Sequence, residues 1–205
     1  MKLWTIQNID TYTEFKNTGI LKANEKYIED DMLFQYDWIV NQMVKRIGKP
    51  LDNNIKYPIW AWYQWNGENQ KRPDLRCSGH LNPKTKGILL EIEVDEKDVL
   101  LSDFDDFNNI FNYAYICDSE ESYDNFYKEL KENGLTHLDL QDMTKQSNTL
   151  NNFRQRLYKS WEQMFDFNKE VDESWHGKKE DRSIQATMWQ VKWEQVVFIK
   201  EFIAK

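Results

Sequence analysis

Trp60 and Trp62 stand two residues apart in an aromatic run at residues 57–63, and Asp74 and Arg76 follow in the segment Lys71-Arg72-Pro73-Asp74-Leu75-Arg76. Side chains two apart on a strand share a face, so the two indoles make a flat apolar wall. Such a wall suits the stacking of a base or a nicotinamide, and it suits a core layer equally well. Asp74 and Arg76 offer an acceptor pair and a donor fork that can fix a phosphate or a ribose, or can simply pair with each other in a solvated turn. Both readings stand open for each pair.

Other reactive types are thinner. Glu91 and Glu93 share one face of a strand-like run and can divide acid and base roles, or they can form a solvent-facing row. His80 lies in the loop between the aromatic run and that strand, as an acid or base near a cleft or as an exposed loop histidine. Cys77 adjoins Arg76 but has no histidine at a definable distance to activate it. The two cysteines have no Cys-x-x-Cys spacing and the three histidines are scattered, which argues against any metal site and fits a reducing compartment. With seven glycines and neither a Gly-x-Gly-x-x-Gly nor a Walker-type loop, a glycine-built phosphate cradle is excluded.

The net charge of -8 disfavours a surface that binds nucleic acid by neutralising many phosphates. No apolar stretch approaches the roughly 20 residues that cross a bilayer, and the first seven residues read as a strand rather than an export signal. The expectation is a cytoplasmic protein with no membrane contact. Its 205 residues, 40% apolar and 15% aromatic, suffice for a single domain, residues 1–205, around one core.

The elements that must position these residues follow from periodicity. Residues 3–7 alternate as a first strand, and Thr11-x-x-Glu14 forms a capping-box pattern for a helix closed by Gly19. Met32, Tyr36, Ile39, Met43 and Ile47 mark one face of a helix starting near Asp30 and stopped by Gly48 and Pro50. Residues 57–63, 87–95 and 99–101 read as strands. Asp103 is the natural N-cap of a helix through Phe104, Phe107 and Ile110, and Ser119 opens another that ends at Gly134. Residues 135–140 suggest a short edge strand, and residues 150–165 a helix. Residues 166–182 form a polar loop of functional or mobile character. Residues 183–193 are β-prone, and 196–203 read as a strand or a short helix. This irregular succession predicts a mixed α+β domain whose first and last strands share one sheet.

Met1-Lys2-Leu3-Trp4-Thr5-Ile6-Gln7, Gly19-Ile20-Leu21, Tyr57-Pro58-Ile59-Trp60-Ala61-Trp62, Lys71-x-Pro73-Asp74-Leu75-Arg76, Leu90-Glu91-Ile92-Glu93-Val94 and Leu100-Leu101-Ser102-Asp103-Phe104 together resemble an uncharacterised bacterial family, the domain of unknown function DUF3841. More distantly, the succession of strands resembles the ADP-ribosyltransferase fold. That resemblance implies a mixed or antiparallel split sheet with flanking helices, and a cleft that pinches NAD. It places Thr5 or Gln7 at the first motif, Trp60 or Trp62 at the second, and Gln185 to Thr187 at the third. The chain departs from the pattern twice, having no Arg or His on the first strand and Gln185-Ala186-Thr187 where many transferases have Gln-x-Glu. Asp103 or Glu91 is then the substitute carboxylate.

The expectation carried forward is a nucleotide-binding domain with NAD held by Thr5, Gln7, Trp60, Trp62, Asp74 and Arg76. Gln185, Thr187 and Asp103 would serve transfer to a protein or nucleic-acid target, as a toxin or phage-defence effector. The alternative is a noncatalytic protein-binding module built on an exposed aromatic patch.

Overall fold

Leu3, Thr5 and Gln7 alternate with Trp4 and Ile6 in β1 (Lys2–Asn8), the first element of a computed structural model that describes residues 1–170 and 172–205, with backbone alone at Tyr27. α1 (Ile9–Thr18) begins directly after the strand, capped by Asn8, whose side-chain oxygen accepts from the Thr11 N–H at 2.8 Å. That amide meets the first-turn donors before Thr11 can, so the expected box at Thr11 and Glu14 falls inside the helix. Gly19 closes α1 at φ 75°, a left-handed conformation that only glycine adopts without a Cβ penalty. Then come β2 (Ile20–Leu21) and α2 (Leu33–Ile47). Ile39 and Met43 are buried on α2 as expected, but Gln35 and Gln42 share that buried stripe.

The remaining strands are β3 (Ile59–Gln64), β4 (Lys86–Glu93), β5 (Leu100–Asp103), β6 (Ile184–Met188), β7 (Val191–Lys192) and β8 (Val196–Ile203). Six of them form one sheet in the order β5-β6-β3-β1-β4-β8, and β2 pairs with β7. The ladders β1·β3, β1·β4, β3·β6 and β4·β8 are all antiparallel. The first and last strands lie in one sheet as expected, and residues 196–203 are strand. Within that order β1 and β3 are joined at a single register pair, Trp4 with Trp62, whereas β1 and β4 pair along the whole strand.

The chain divides into two compact units, Met1–Leu101 with Ser183–Lys205, and Ser102–Arg182. A core cluster of the first unit joins Leu3, Ile59, Ala61, Ile88, Leu90, Ile92, Ala186 and Met188 from one sheet face, Phe15 from α1, and Leu21 and Val191 from the small sheet. Trp193 closes it edge-on against Phe15, ring centres 5.2 Å apart.

The second unit is helical: α3 (Phe104–Phe111), α4 (Glu120–Glu132), α5 (His137–Gln141), α6 (Asn148–Trp161) and α7 (Glu173–His176). Phe126, Leu130, Leu140, Leu150, Phe153, Leu157 and Trp161 are buried there, with Tyr115 stacked on Phe126 at 4.1 Å. The edge strand expected at residues 135–140 is instead α5. The Thr136 N–H and hydroxyl both donate to Asp139 Oδ2, at 2.7 and 2.6 Å, which nucleates a helical turn that the residue pattern alone does not announce. Arg154, buried on α6, donates to the carbonyls of Asp139, Leu140, Asp142 and Lys145, and so satisfies the orphan acceptors at the end of that turn. The segment 166–182 also holds more regular structure than a loop, through α7 and a 3-10 turn at Lys179–Asp181. The molecule is thus α+β with a mostly antiparallel sheet and several helices. No helix among the described residues is long and apolar enough to cross a membrane.

Candidate functional site

Strand pairing puts four side chains of three chemical types in one cross-strand row. Gln185 on β6 opposes Trp62 on β3, Trp62 opposes Trp4 on β1, and Trp4 opposes Glu91 on β4. Directly opposed residues share a face, and alternation puts this row on the side of the sheet away from Leu3, Ala61, Ala186 and Ile92, which fill the core. Trp60 and its partner Thr187 stand on the row's face too. The three strands named by their motifs are therefore neighbours, and Trp4 is the member of the row that sequence reasoning passed over. Its signal was available, since Trp4 alternates with Leu3 and Thr5 in the same strand that was read.

The polar atoms of this face differ in how they are satisfied. Glu91 accepts from the Trp4 indole N–H at 3.0 Å and pairs with Lys2 at 2.7 Å. The Lys2 hydrogen bond holds its carboxyl below the usual carboxylate range against the opposing effect of burial, so Glu91 is an ionised anchor rather than a proton donor. It also lies three strands from Gln185, roughly 14 Å at the usual strand spacing, too far to stand in for a glutamate there. Gln185 Oε1 is buried and accepts no hydrogen bond among the described residues. An orphaned amide oxygen beside an indole is an acceptor whose desolvation is uncompensated, and a ligand N–H or O–H would relieve it.

The other expected residues are placed as follows. Thr5 and Gln7 lie on the opposite, core-side face, so their side chains do not share the face of the Trp60, Trp62, Gln185 and Thr187 side chains, and Thr5 meets Trp60 at that residue's backbone. Thr5 is fully buried, donating to the Trp60 carbonyl at 2.7 Å and accepting from Gln7 Nε2 at 2.8 Å. Thr187 is fully buried as well, with its hydroxyl directed to the Leu100 carbonyl at 3.3 Å. Trp62 and Gln185 are half-buried, and Trp60 meets Tyr36 of α2 edge-on with centroids 6.3 Å apart. Asp74 and Arg76 satisfy each other: Arg76 donates through Nε at 2.9 Å and Nη2 at 2.6 Å, and this fork holds the Asp74 carboxyl well below its ordinary range. His80 Nε2 donates to the Asp74 carbonyl at 2.9 Å, which requires the proton on that nitrogen, and the ring lies between Trp65 and Phe202. Asp103, in the second unit, caps α3 by accepting from the N–H groups of Asp105 and Asp106 at 3.0 and 3.1 Å.

A cavity of about 360 Å³ in the second unit is lined by residues not singled out from the sequence, among them Asp106, Asn109, Tyr123, Trp175 and His176. Asp106 was legible in principle, because it stands four residues before Ile110 on the buried face of α3. Among the described residues no cluster of three metal-ligating side chains is assembled. No curated protein and no solved structure matches the chain. A family model described as a domain of unknown function (DUF3841) matches residues 2–197, nearly the whole sequence, and the chain belongs to that family.

Proposed function

We propose that the protein binds a nucleotide, NAD first of all, against the Trp62 and Gln185 face of its sheet, on an ADP-ribosyltransferase-like plan. One observation carries the reading: β1, β3 and β6, the strands to which that resemblance assigns its three motifs, are sheet neighbours, with Trp62 directly between Trp4 and Gln185. The indole supplies a stacking surface for a planar ring, and the unpartnered Gln185 oxygen supplies an acceptor for a ribose hydroxyl. A neutral amide stabilises a developing cation less than a carboxylate does, so ADP-ribose transfer to a protein or nucleic-acid target, in a cytoplasmic toxin or defence effector, is expected to be slow.

Thermal unfolding with NAD, ADP-ribose and nucleoside phosphates tests the reading, since a ligand that binds only the folded form stabilises it by about 2.7 kcal/mol at a hundredfold its Kd. A rise with NAD that Trp62→Ala and Gln185→Leu abolish supports it, and no rise with any of these ligands removes it.

A second reading, a noncatalytic protein-binding module, is favoured by β8. This edge strand exposes Val197, Phe198, Ile199 and Ile203, the last to 55%. Unpaired strand edges with apolar side chains accept another strand readily. The tryptophans Trp60 and Trp62 are half-buried, so the apolar surface that such a partner would meet is β8.

A further inference from the structure

The cavity of the second unit joins three kinds of wall. Asp105, Asp106 and Asn109 project from α3, Tyr115 to Cys117 supply an extended segment, and Tyr123 with Trp175 and His176 close the remaining side. Asp106 is only 7% exposed, and its carboxylate accepts no hydrogen bond among the described residues. Its nearest cation, Lys169 Nζ, stands 4.0 Å away and is shared with Asp118 at 3.5 Å and Gln163 Oε1 at 3.0 Å. Burial together with the charge of Asp103 pushes the Asp106 carboxyl up from its ordinary range, against the opposing pull of Lys169, His176 and Arg182. Trp175 is 39% exposed and leans on Tyr123 with centroids 5.6 Å apart.

The His176 ring adds a geometric constraint. Its Nε2 faces the Cys117 carbonyl, which can only accept, so that nitrogen carries a proton and the ring is held against the cavity wall. Among the described residues no lysine or arginine lines the cavity, so a phosphate or carboxylate entering it would meet the carboxylates of Asp105 and Asp106 at the wall, with Lys169 lying behind Asp106 and engaged with it at 4.0 Å. A planar cation meets the opposite conditions, with an under-bonded carboxylate to accept its N–H groups in pairs and aromatic faces to receive its charge.

We propose that this cavity is a binding site for a small organic cation of the guanidinium class, with Asp106 as its counter-ion and Trp175 and Tyr123 as its aromatic shelf. The volume of about 360 Å³ is at the small end of ligand pockets, which fits a guanidinium on a short stem rather than a dinucleotide. The site is independent of the nucleotide reading and needs no residue of the sheet.

Calorimetric titration of the full chain with methylguanidinium, with tetramethylammonium and inorganic phosphate as comparisons, tests the proposal. Saturable methylguanidinium binding in the millimolar range or tighter is expected. It should be weakened about tenfold or more by Asp106→Asn and by Trp175→Leu, the loss expected for one charged hydrogen bond or one cation–π contact. Tetramethylammonium, which cannot donate hydrogen bonds, should bind more weakly, and phosphate not at all. Affinity should rise with pH as Asp106 ionises among Asp103, Asp105, Lys169, His176 and Arg182, and Asp106→Asn should remove that component. Absence of saturable binding, preference for phosphate, or unchanged affinity in both variants overturns the proposal. Trp175 is exposed, so its variant keeps the test decisive even where Asp106→Asn perturbs the fold.

Discussion

Trp62 and Gln185 are direct cross-strand partners on β3 and β6, and the Gln185 side-chain oxygen is buried there without a hydrogen bond among the described residues. The pair combines the largest apolar surface available to a side chain with an unsatisfied acceptor, an arrangement that costs stability.

Gln185→Leu should therefore leave stability within about 1 kcal/mol of the parent or raise it, because an apolar group of similar size carries no desolvation penalty. Denaturant unfolding measures this directly. A loss well beyond that value shows that the Gln185 amide holds the sheet together, contrary to its unbonded oxygen.

Arg154 is the keystone of the second unit. Arg154→Ala strips four carbonyls of their donor and should cost roughly 3 kcal/mol or more, while Arg154→Lys should recover only part, since an ammonium cannot reproduce the planar fork. Amide hydrogen exchange should show protection lost first around α5. Equal stability of the lysine variant and the parent would refute the fork.

Gly87 is required for close approach rather than for an unusual backbone angle. A Cβ there would sit 2.6 Å from the Phe202 ring and 2.7 Å from Leu81 Cδ1, so Gly87→Ala should destabilise by roughly 1–3 kcal/mol. Adding Phe202→Leu should return part of that loss. A double-mutant cycle with no coupling contradicts the contact.

Tyr127 and Tyr158 are held protonated by burial, each pushed up to about 12. Their folded values lie above the ordinary value near 10, so the folded state holds protons that the unfolded chain releases. The stability this represents is complete below about pH 10 and is lost as pH rises towards 12. Tyrosinate absorbance should show Tyr127 and Tyr158 ionising last of the ten tyrosines, together with unfolding and behind Tyr36, Tyr57, Tyr113 and Tyr115, which burial also pushes up. Ionisation of all ten near the ordinary value, with the fold intact, would contradict the burial.

Much of the architecture was legible locally. Gly19, Gly48, Asp103 and Ser119 mark ends where they were expected, because caps and stops act within a few residues of themselves. Alternation around Leu90 and Ile92 revealed β4 for the same reason. α5 was missed because its formation rests on Asp139 reaching back to Thr136 and on Arg154 arriving from α6, and the second of these is invisible to any short window.

By itself the sequence determined the α+β class, the first strand, most helix boundaries and the indole pair on one strand face, all of which follow from periods of two or 3.6 residues, while it left residues 196–203 open between strand and helix. Only the tertiary structure decided which residues stand side by side. It set Trp4 between Trp62 and Glu91, turned Thr5 and Gln7 to the core face, and buried Asp106 in a cavity with Trp175. The reason is physical: strand order and helix packing are settled by burying area between segments far apart in the chain, and a sheet's register assigns every neighbour at once.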